Sequence, residues 1–265
     1  MINPVAFEIG GLEVRWYGLL IVFGIIMAMV VGVYNCKRYR LETDHVLNIV
    51  LLIVPIGIIC ARAYYVLFNW DYYAANPSEI IAIWHGGLAI HGGIIGGALA
   101  IWGYSIYAKI PFRVFGDIIV PGVILAQAIG RWGNFFNQEA YGSETDLPWA
   151  IFIDGAYRHP TFLYESLWNL AVFVLLMILF SKWQNRKKGD IMAIYLIGYS
   201  LGRVWIEWFR TDSLMLGDIK MAMLISVVGV VFGICVLIYD RIRPVKPYET
   251  VKAKKKKTKK NKKKS

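Results

Sequence analysis

The sequence predicts an all-α integral membrane protein of seven transmembrane helices. Its N-terminus is expected outside and its C-terminus in the cytoplasm, with a small extracytoplasmic cap between helices 4 and 5. Three observations predict this. Hydrophobic residues make up 57% of the 265 positions and charged ones only 18%, far from the balance of a soluble domain. The apolar residues fall into seven runs, each near the roughly 20 residues that a helix needs to cross a bilayer. The basic residues collect in every second connection, as the positive-inside rule requires.

The seven segments are read at 17–36, 46–68, 88–108, 114–131, 161–181, 191–209 and 219–239, and the fourth is the shortest. Connections after the first, third and fifth carry Lys37, Arg38 and Arg40, then Lys109 and Arg113, then Lys182, Arg186, Lys187 and Lys188. Those loops are therefore cytoplasmic. Residues 1–18 lack a basic stretch followed by an apolar core and a cleavage site, so no removable signal peptide is expected. The loop 69–84 is rich in Tyr and Trp, as an interfacial segment should be. The long connection 132–159 is acidic and glycine-punctuated, with residues 149–153 reading as part of a small β-hairpin. It forms the expected cap.

The net charge of +11 misleads about the body of the protein. Residues 241–265 hold thirteen Lys/Arg and one Glu, a net +12, which leaves residues 1–240 at −1. A basic nucleic-acid surface on the body is excluded, and no nucleic-acid partner is expected. The expected organisation is one transmembrane domain over 1–245, with its cap at about 132–159, and a disordered lysine-rich cytoplasmic tail at 246–265. Such a tail is attracted to anionic lipid, by about 1 kcal/mol per Lys near the surface. Cys36, Cys60 and Cys235 lie far apart in apolar segments and share no ligand spacing, which argues against a disulfide framework or zinc site. No metal or nucleotide motif appears, and no cofactor is expected.

Function has to come from polar residues held where polarity is expensive. An arginine near the bilayer centre costs at least about 2.5–3.5 kcal/mol unless it faces a partner or a cavity. Arg62, Arg131 and Arg203 all fall in or at the end of predicted spans. Arg62 reads as structural, snorkelling outward or paired with a carboxylate. On the sixth segment Tyr199, Arg203, Glu207 and Arg210 share one helical stripe, with one positive charge left over. That stripe is either an anion site or an ion pair that only locks helices. In the third segment His91 lies inside an apolar run and is a candidate base or a hydrogen-bonded structural residue. The weaker candidate His85 sits at the interface. Gly93 and Gly97 beside His91 form a GxxxG pattern for close helix packing.

The stretch GRWGNFFNQEAYG, residues 130–142, concentrates the most polar chemistry. Arg131, Asn134, Asn137 and Glu139 offer cationic, amide and carboxylate groups. Gly130, Gly133 and Gly142 would let the backbone bend toward a head group, or serve a helix C-cap and turn. Arg158 stands before a Pro-initiated helix N-terminus, another place that favours anions, and Tyr17 enters the first span from the same outer side. Together these residues describe a cationic, amide-rich pocket near the outer face. A phospholipid head group suits it, and so would the substrate of an anion transporter.

The same residues resemble one family. GRWGNFFNQEAYG is similar to the signature of the prolipoprotein diacylglyceryl transferases, and the resemblance extends to RWYGLL, HGGLAIHGG, RHPTFLYE and GYSLGRVWIEWFR, in order across nearly the whole chain. Gln138 stands where the family often has glycine, and the lysine tail is an addition. The resemblance implies a bacterial cell-membrane enzyme with a multi-pass catalytic domain over 1–245. It would move the diacylglyceryl group of phosphatidylglycerol to the lipobox cysteine of preprolipoprotein signal peptides within the lipid bilayer, as a thioether. It implies catalytic roles for His91 as base, Arg203 and Tyr199. Substrate binding falls to Arg131, Asn134, Glu139, Gly142, Tyr17, Glu207 and Arg210. Arg131 and Arg203 would then clamp the phosphate, and Asn134 and Glu139 hold the glycerol. A non-catalytic lipid-binding scaffold would keep the arginines without needing His91.

Overall fold

The structure is a computed structural model that describes residues 3–183, 185–211, 215–217 and 219–242. The expected tail at 246–265 lies outside the described residues. The chain divides into two compact units, one of residues 1–39 with 116–265 and one of Arg40–Phe115.

The first unit opens with a hairpin that the sequence reading did not anticipate, β1 (Val5–Ile9) and β2 (Leu12–Arg15). Gly10 and Gly11 turn it at φ +59 and +85, the left-handed geometry that a two-residue hairpin turn requires. Helix α1 (Trp16–Tyr39) follows. Its small residues meet those of the later helix α5 (Phe112–Asn137). A Cβ on Gly24 would lie 3.3 Å from Ala126, and one on Gly122 2.6 Å from the Ala28 carbonyl oxygen. Such contacts let two apolar helices approach closely. Asn35 adds a buried hydrogen bond to the Ile118 carbonyl at 3.0 Å.

Helix α5 is where expectation and structure part most. The segment read as shortest is a 26-residue helix that continues through Arg131, Asn134 and Asn137. Gly130 and Gly133 are therefore helical rather than a bend, and Gly133 instead makes room for the Tyr17 ring packed over it. The cap contains the short hairpin β3 (Ile151–Ile153) and β4 (Ala156–Arg158), one strand beyond the residues predicted to pair. Arg158 turns to this cap, 3.5 Å from Glu144 and over the Tyr141 ring. Helices α6 (Thr161–Lys182), α7 (Asp190–Phe209) and α8 (Met221–Ile242) complete the unit, with the two-residue strands β5 (Met215–Leu216) and β6 (Ile219–Lys220) before α8.

The second unit holds α2 (Asp44–Phe68), the short α3 (Trp70–Ala75), two 3-10 turns and α4 (Ile90–Ala108). Helices α2 and α4 pack on glycines, one position off the predicted pair. A Cβ on Gly96 would fall 2.7 Å from Cys60 Cβ and one on Gly92 would strike the Cys60 carbonyl, whereas Gly93 and Gly97 meet nothing closer than 3.7 Å. Arg62, only 6% exposed, finds no carboxylate among the described residues. It donates to the carbonyls of Ile80, Gly86, Gly87, Glu79 and Ala82 at 2.5–3.4 Å. It is structural as expected, but its partners are backbone.

Each of the seven predicted segments thus contains a helix. Five of them, α1, α2, α5, α6 and α8, are long and apolar enough to cross a membrane. Helix α4 is diluted by five glycines and His91, and α7 by Asp190, Arg203 and Glu207. Large apolar side chains face outward, as with Val228 and Phe232 on α8, each about 60% exposed. Exposed apolar surface on this scale needs a lipid solvent. The chain is a multi-pass membrane protein.

Candidate active site

Three helices of the first unit bring their charges to one point. Glu165, one turn into α6 and 3% exposed, is the hub. Arg131 of α5 approaches it with Nε 2.6 Å from Oε2, as an ion pair rather than an aligned hydrogen bond. Arg203 of α7 donates from Nη1 to Oε1 at 2.6 Å, and Arg210, just past the end of α7, reaches the same oxygen at 3.4 Å. Arg203 also donates from Nη2 to Glu207 Oε2, one turn along its own helix, while Arg210 Nε stands 4.0 Å from that oxygen.

Three guanidinium groups thus converge on two buried carboxylates. Lys220 raises the local potential, and its ammonium caps the C-terminus of α7 by donating to the carbonyls of Glu207 and Arg210, each at 2.7 Å. Such a position suits a cation because the last carbonyls of a helix are unsatisfied.

An amide rim borders this charged centre. Asn134, three residues beyond Arg131 and so on the same face of α5, accepts from Arg131 Nη1 at 3.4 Å and donates to Glu139 Oε1 at 2.9 Å. Asn137 donates to the same carboxylate oxygen at 3.3 Å. Glu139 is exposed and lines an open cavity of about 270 Å³ with Gln138, Ala140, Tyr141 and Thr211.

The remaining candidates divide. Tyr199 lies one turn from Arg203, its ring stacked on Tyr195 at 6.0 Å. Gly142 is a positioning residue. It forms an antiparallel bridge with Arg210, and a Cβ there would meet His159 Cβ at 2.6 Å. Tyr17 packs across Gly133 at the start of α1. Arg131, Asn134, Glu139, Arg203, Glu207 and Arg210 are thus brought together in one connected group. His91 belongs to the other unit. It is exposed, at the second residue of α4 rather than several residues inside a span, with its ring 5.9 Å from that of Tyr64.

Glu165 is the residue that sequence reasoning missed, although it lies within the RHPTFLYE block. A signal was present: it is the only carboxylate of α6, and an intramembrane carboxylate requires a cationic partner.

A multi-pass membrane protein with a largely buried arginine–glutamate cluster and an amide rim is the class that the fold and site define. The comparisons with known proteins agree, and the chain belongs to the prolipoprotein diacylglyceryl transferase family, whose sequence model matches residues 4–239. It is 49% identical over 251 residues to the phosphatidylglycerol–prolipoprotein diacylglyceryl transferase of Clostridium novyi (strain NT), covering 91% of this chain and 97% of that protein. The protein of the same name from Clostridioides difficile (strain 630) is 49% identical over 238 residues, 89% of this chain and 95% of its own. That from Streptococcus mutans is 46% identical over 256 residues, 94% and 99%.

Proposed function

We propose that this protein transfers the diacylglyceryl group of phosphatidylglycerol to a prolipoprotein cysteine, the first step of lipoprotein maturation. The cysteine sulfur attacks the diacylglycerol carbon that bears the phosphate. A C–S bond forms, the C–O bond to phosphate breaks, and glycerol phosphate leaves with the bonding pair. The observation that carries the reading is the convergence of Arg131, Arg203 and Arg210 on Glu165 and Glu207 at one point. A departing phosphate needs positive charge already in place, and preorganised donors are worth most where water is excluded.

In this reading Arg131 and Arg203 clamp the phosphate, with Arg210 beside them, while Asn134 and Glu139 hold the terminal glycerol. Glu165 and Glu207 keep the guanidinium groups aligned, and the phosphate takes donors that they leave uncommitted. Tyr17, Gly142 and Tyr199 shape the surroundings. A thiol near pKa 8.5 supplies little thiolate at neutral pH, so a base is needed. The family resemblance assigns that role to His91.

The wider proposal is a single catalytic domain over 1–245 that crosses a bacterial cell membrane seven times. Its N-terminus would be outside, its cap extracytoplasmic, and the lysine-rich tail at 246–265 cytoplasmic. The alternating loop charges support that orientation. Both substrates are membrane-embedded, the second as a signal peptide with a lipobox cysteine, and enter from the bilayer.

Transfer of labelled diacylglyceryl from phosphatidylglycerol to a lipobox peptide tests the reading. The expected result is cysteine-dependent transfer by the wild type, lost in Arg131→Ala and Arg203→Ala and with a Cys-to-Ser peptide. Absence of transfer by folded wild type would overturn it.

A further inference from the structure

A second polar tier lies one helical turn deeper than the charged one. On antiparallel helices, the residues one turn from Arg131, Glu165 and Arg203 toward the membrane interior are Gln127, Asn169 and Tyr199. Hydrogen bonds between the helices hold this register, two from a side chain to a backbone carbonyl and one between Gln127 and Tyr195, on which the Tyr199 ring is stacked. Ser166 donates to the Ala128 carbonyl, Trp168 donates to the Gly198 carbonyl, and Tyr195 donates to Gln127 Oε1 at 3.4 Å. The tier is neutral, made of two amides and a phenol, where the tier above it is charged.

Asn169 is its unexplained member. The residue is 3% exposed, and its Nδ2 is buried with no hydrogen-bond partner among the described residues. Leaving a buried amide donor unmade costs about 1–3 kcal/mol, and in an apolar setting nothing else recovers it. An apolar residue would pack this face of α6 as well, as Val172 and Leu176 do deeper on the same helix. A buried donor without a protein acceptor points to an acceptor that arrives with a ligand.

We propose that Asn169 is a lipid-binding residue that donates to an ester carbonyl of the diacylglycerol, in a subsite completed by Gln127 and Tyr199. This rests on the transferase reading, which sets the phosphate in the arginine tier. A phospholipid carries its ester carbonyls one glycerol length below the phosphate, on the side of its acyl chains. Ester carbonyls are neutral acceptors and call for neutral donors, whereas the phosphate calls for cations. The two tiers therefore match the two polar levels of one lipid. The subsite would seat the glycerol backbone so that the carbon under attack is held in a single orientation.

The test compares phosphatidylglycerol with its diether analogue, which lacks both carbonyls but keeps the C–O bond that breaks. Initial rates of transfer to a lipobox peptide are measured with the full-length protein in mixed micelles. Wild type is expected to favour the diester by about tenfold in kcat/KM, the size of one hydrogen bond in a buried site. Asn169→Leu and Asn169→Ala should raise KM for the diester about tenfold, leave the diether unchanged, and so abolish the preference.

Equal use of both lipids by wild type would overturn the subsite whether or not the variants fold. Equal loss on both lipids in the variants would also overturn it and make Asn169 a structural residue or a water ligand. Absence of transfer from either lipid by wild type would instead remove the transferase reading, and the subsite with it.

Discussion

Arg62 and Arg203 are both largely buried arginines on helices of this membrane protein, and they are satisfied in opposite ways. Arg62 commits all five guanidinium N–H groups to backbone carbonyls of residues 79–87. Nothing remains with which to grip a ligand, and the loop before α4 is folded around it. Arg203 shows two donations among the described residues, to Glu165 and Glu207, and shares those carboxylates with Arg131 and Arg210. An arginine in a membrane is therefore not by itself a site. It becomes one only where donors are left beyond its fixed acceptors, as the transferase reading proposes for Arg203.

Substituting lysine at each position should separate the two cases, because lysine keeps the charge but loses the planar fork. The largest effect is expected for Arg203→Lys, a fall of about 10³-fold in transfer rate, the upper range for removing a preorganised donor. Its unfolding midpoint in detergent should move little. Arg62→Lys should reverse the pattern, losing about 3 kcal/mol of stability as carbonyls are orphaned while kcat per folded molecule stays within threefold. Chemical unfolding in mixed micelles beside the transfer assay measures both. A collapse of kcat in Arg62→Lys at unchanged stability would place Arg62 in the catalytic machinery and end the distinction.

The α2–α4 seam extends the contrast from charge to packing. Gly96→Ala places a Cβ 2.7 Å from Cys60 Cβ and 2.9 Å from the Ile56 carbonyl, and should cost about 2 kcal/mol by forcing the helices apart. Gly97→Ala meets only the Ile53 methyl at 3.7 Å, so its stability should stay within about 0.5 kcal/mol of wild type. Thermal unfolding of the pair decides between them. The smallest effect on transfer among the charged residues of the cluster is expected for Lys220→Met. It removes a cation from the end of α7 and should cost about 1 kcal/mol with a few-fold loss of transfer. A loss as large as that of Arg203→Lys would make Lys220 a fourth phosphate ligand.

Much of this was legible in local sequence. The runs of apolar residues located all seven long helices, and the arginines inside them stood out because a charge in hydrocarbon needs a reason. The pairing of Arg203 with Glu207 followed from helical spacing alone, whereas Arg210 lies just past the end of α7 in extended backbone and joins the cluster from there. What local sequence did not reveal is which partners lie across the bundle. Glu165 meets Arg203 across 38 residues of chain and Arg210 across 45, distances at which spacing carries no information.

The same limit explains the misplaced details. Helix α5 was read as ending near Arg131, since Gly130 and Gly133 look like a terminus. In the fold Gly133 is tolerated inside the helix because the Tyr17 ring occupies the space a side chain would take. The glycine seam was placed at Gly93 and Gly97 instead of Gly92 and Gly96, because either pair satisfies the pattern. The choice depends on the rotation of α4 against α2.

The sequence by itself thus determined that the chain is a bundle of apolar helices carrying costly cations, because hydropathy and charge are properties of each residue and its near neighbours. Only the tertiary structure decided which acceptors each cation meets. Hydrogen-bond saturation at Arg62 and charge sharing around Glu165 depend on the phase and depth at which separate helices meet, and those are set by packing among residues far apart in the chain.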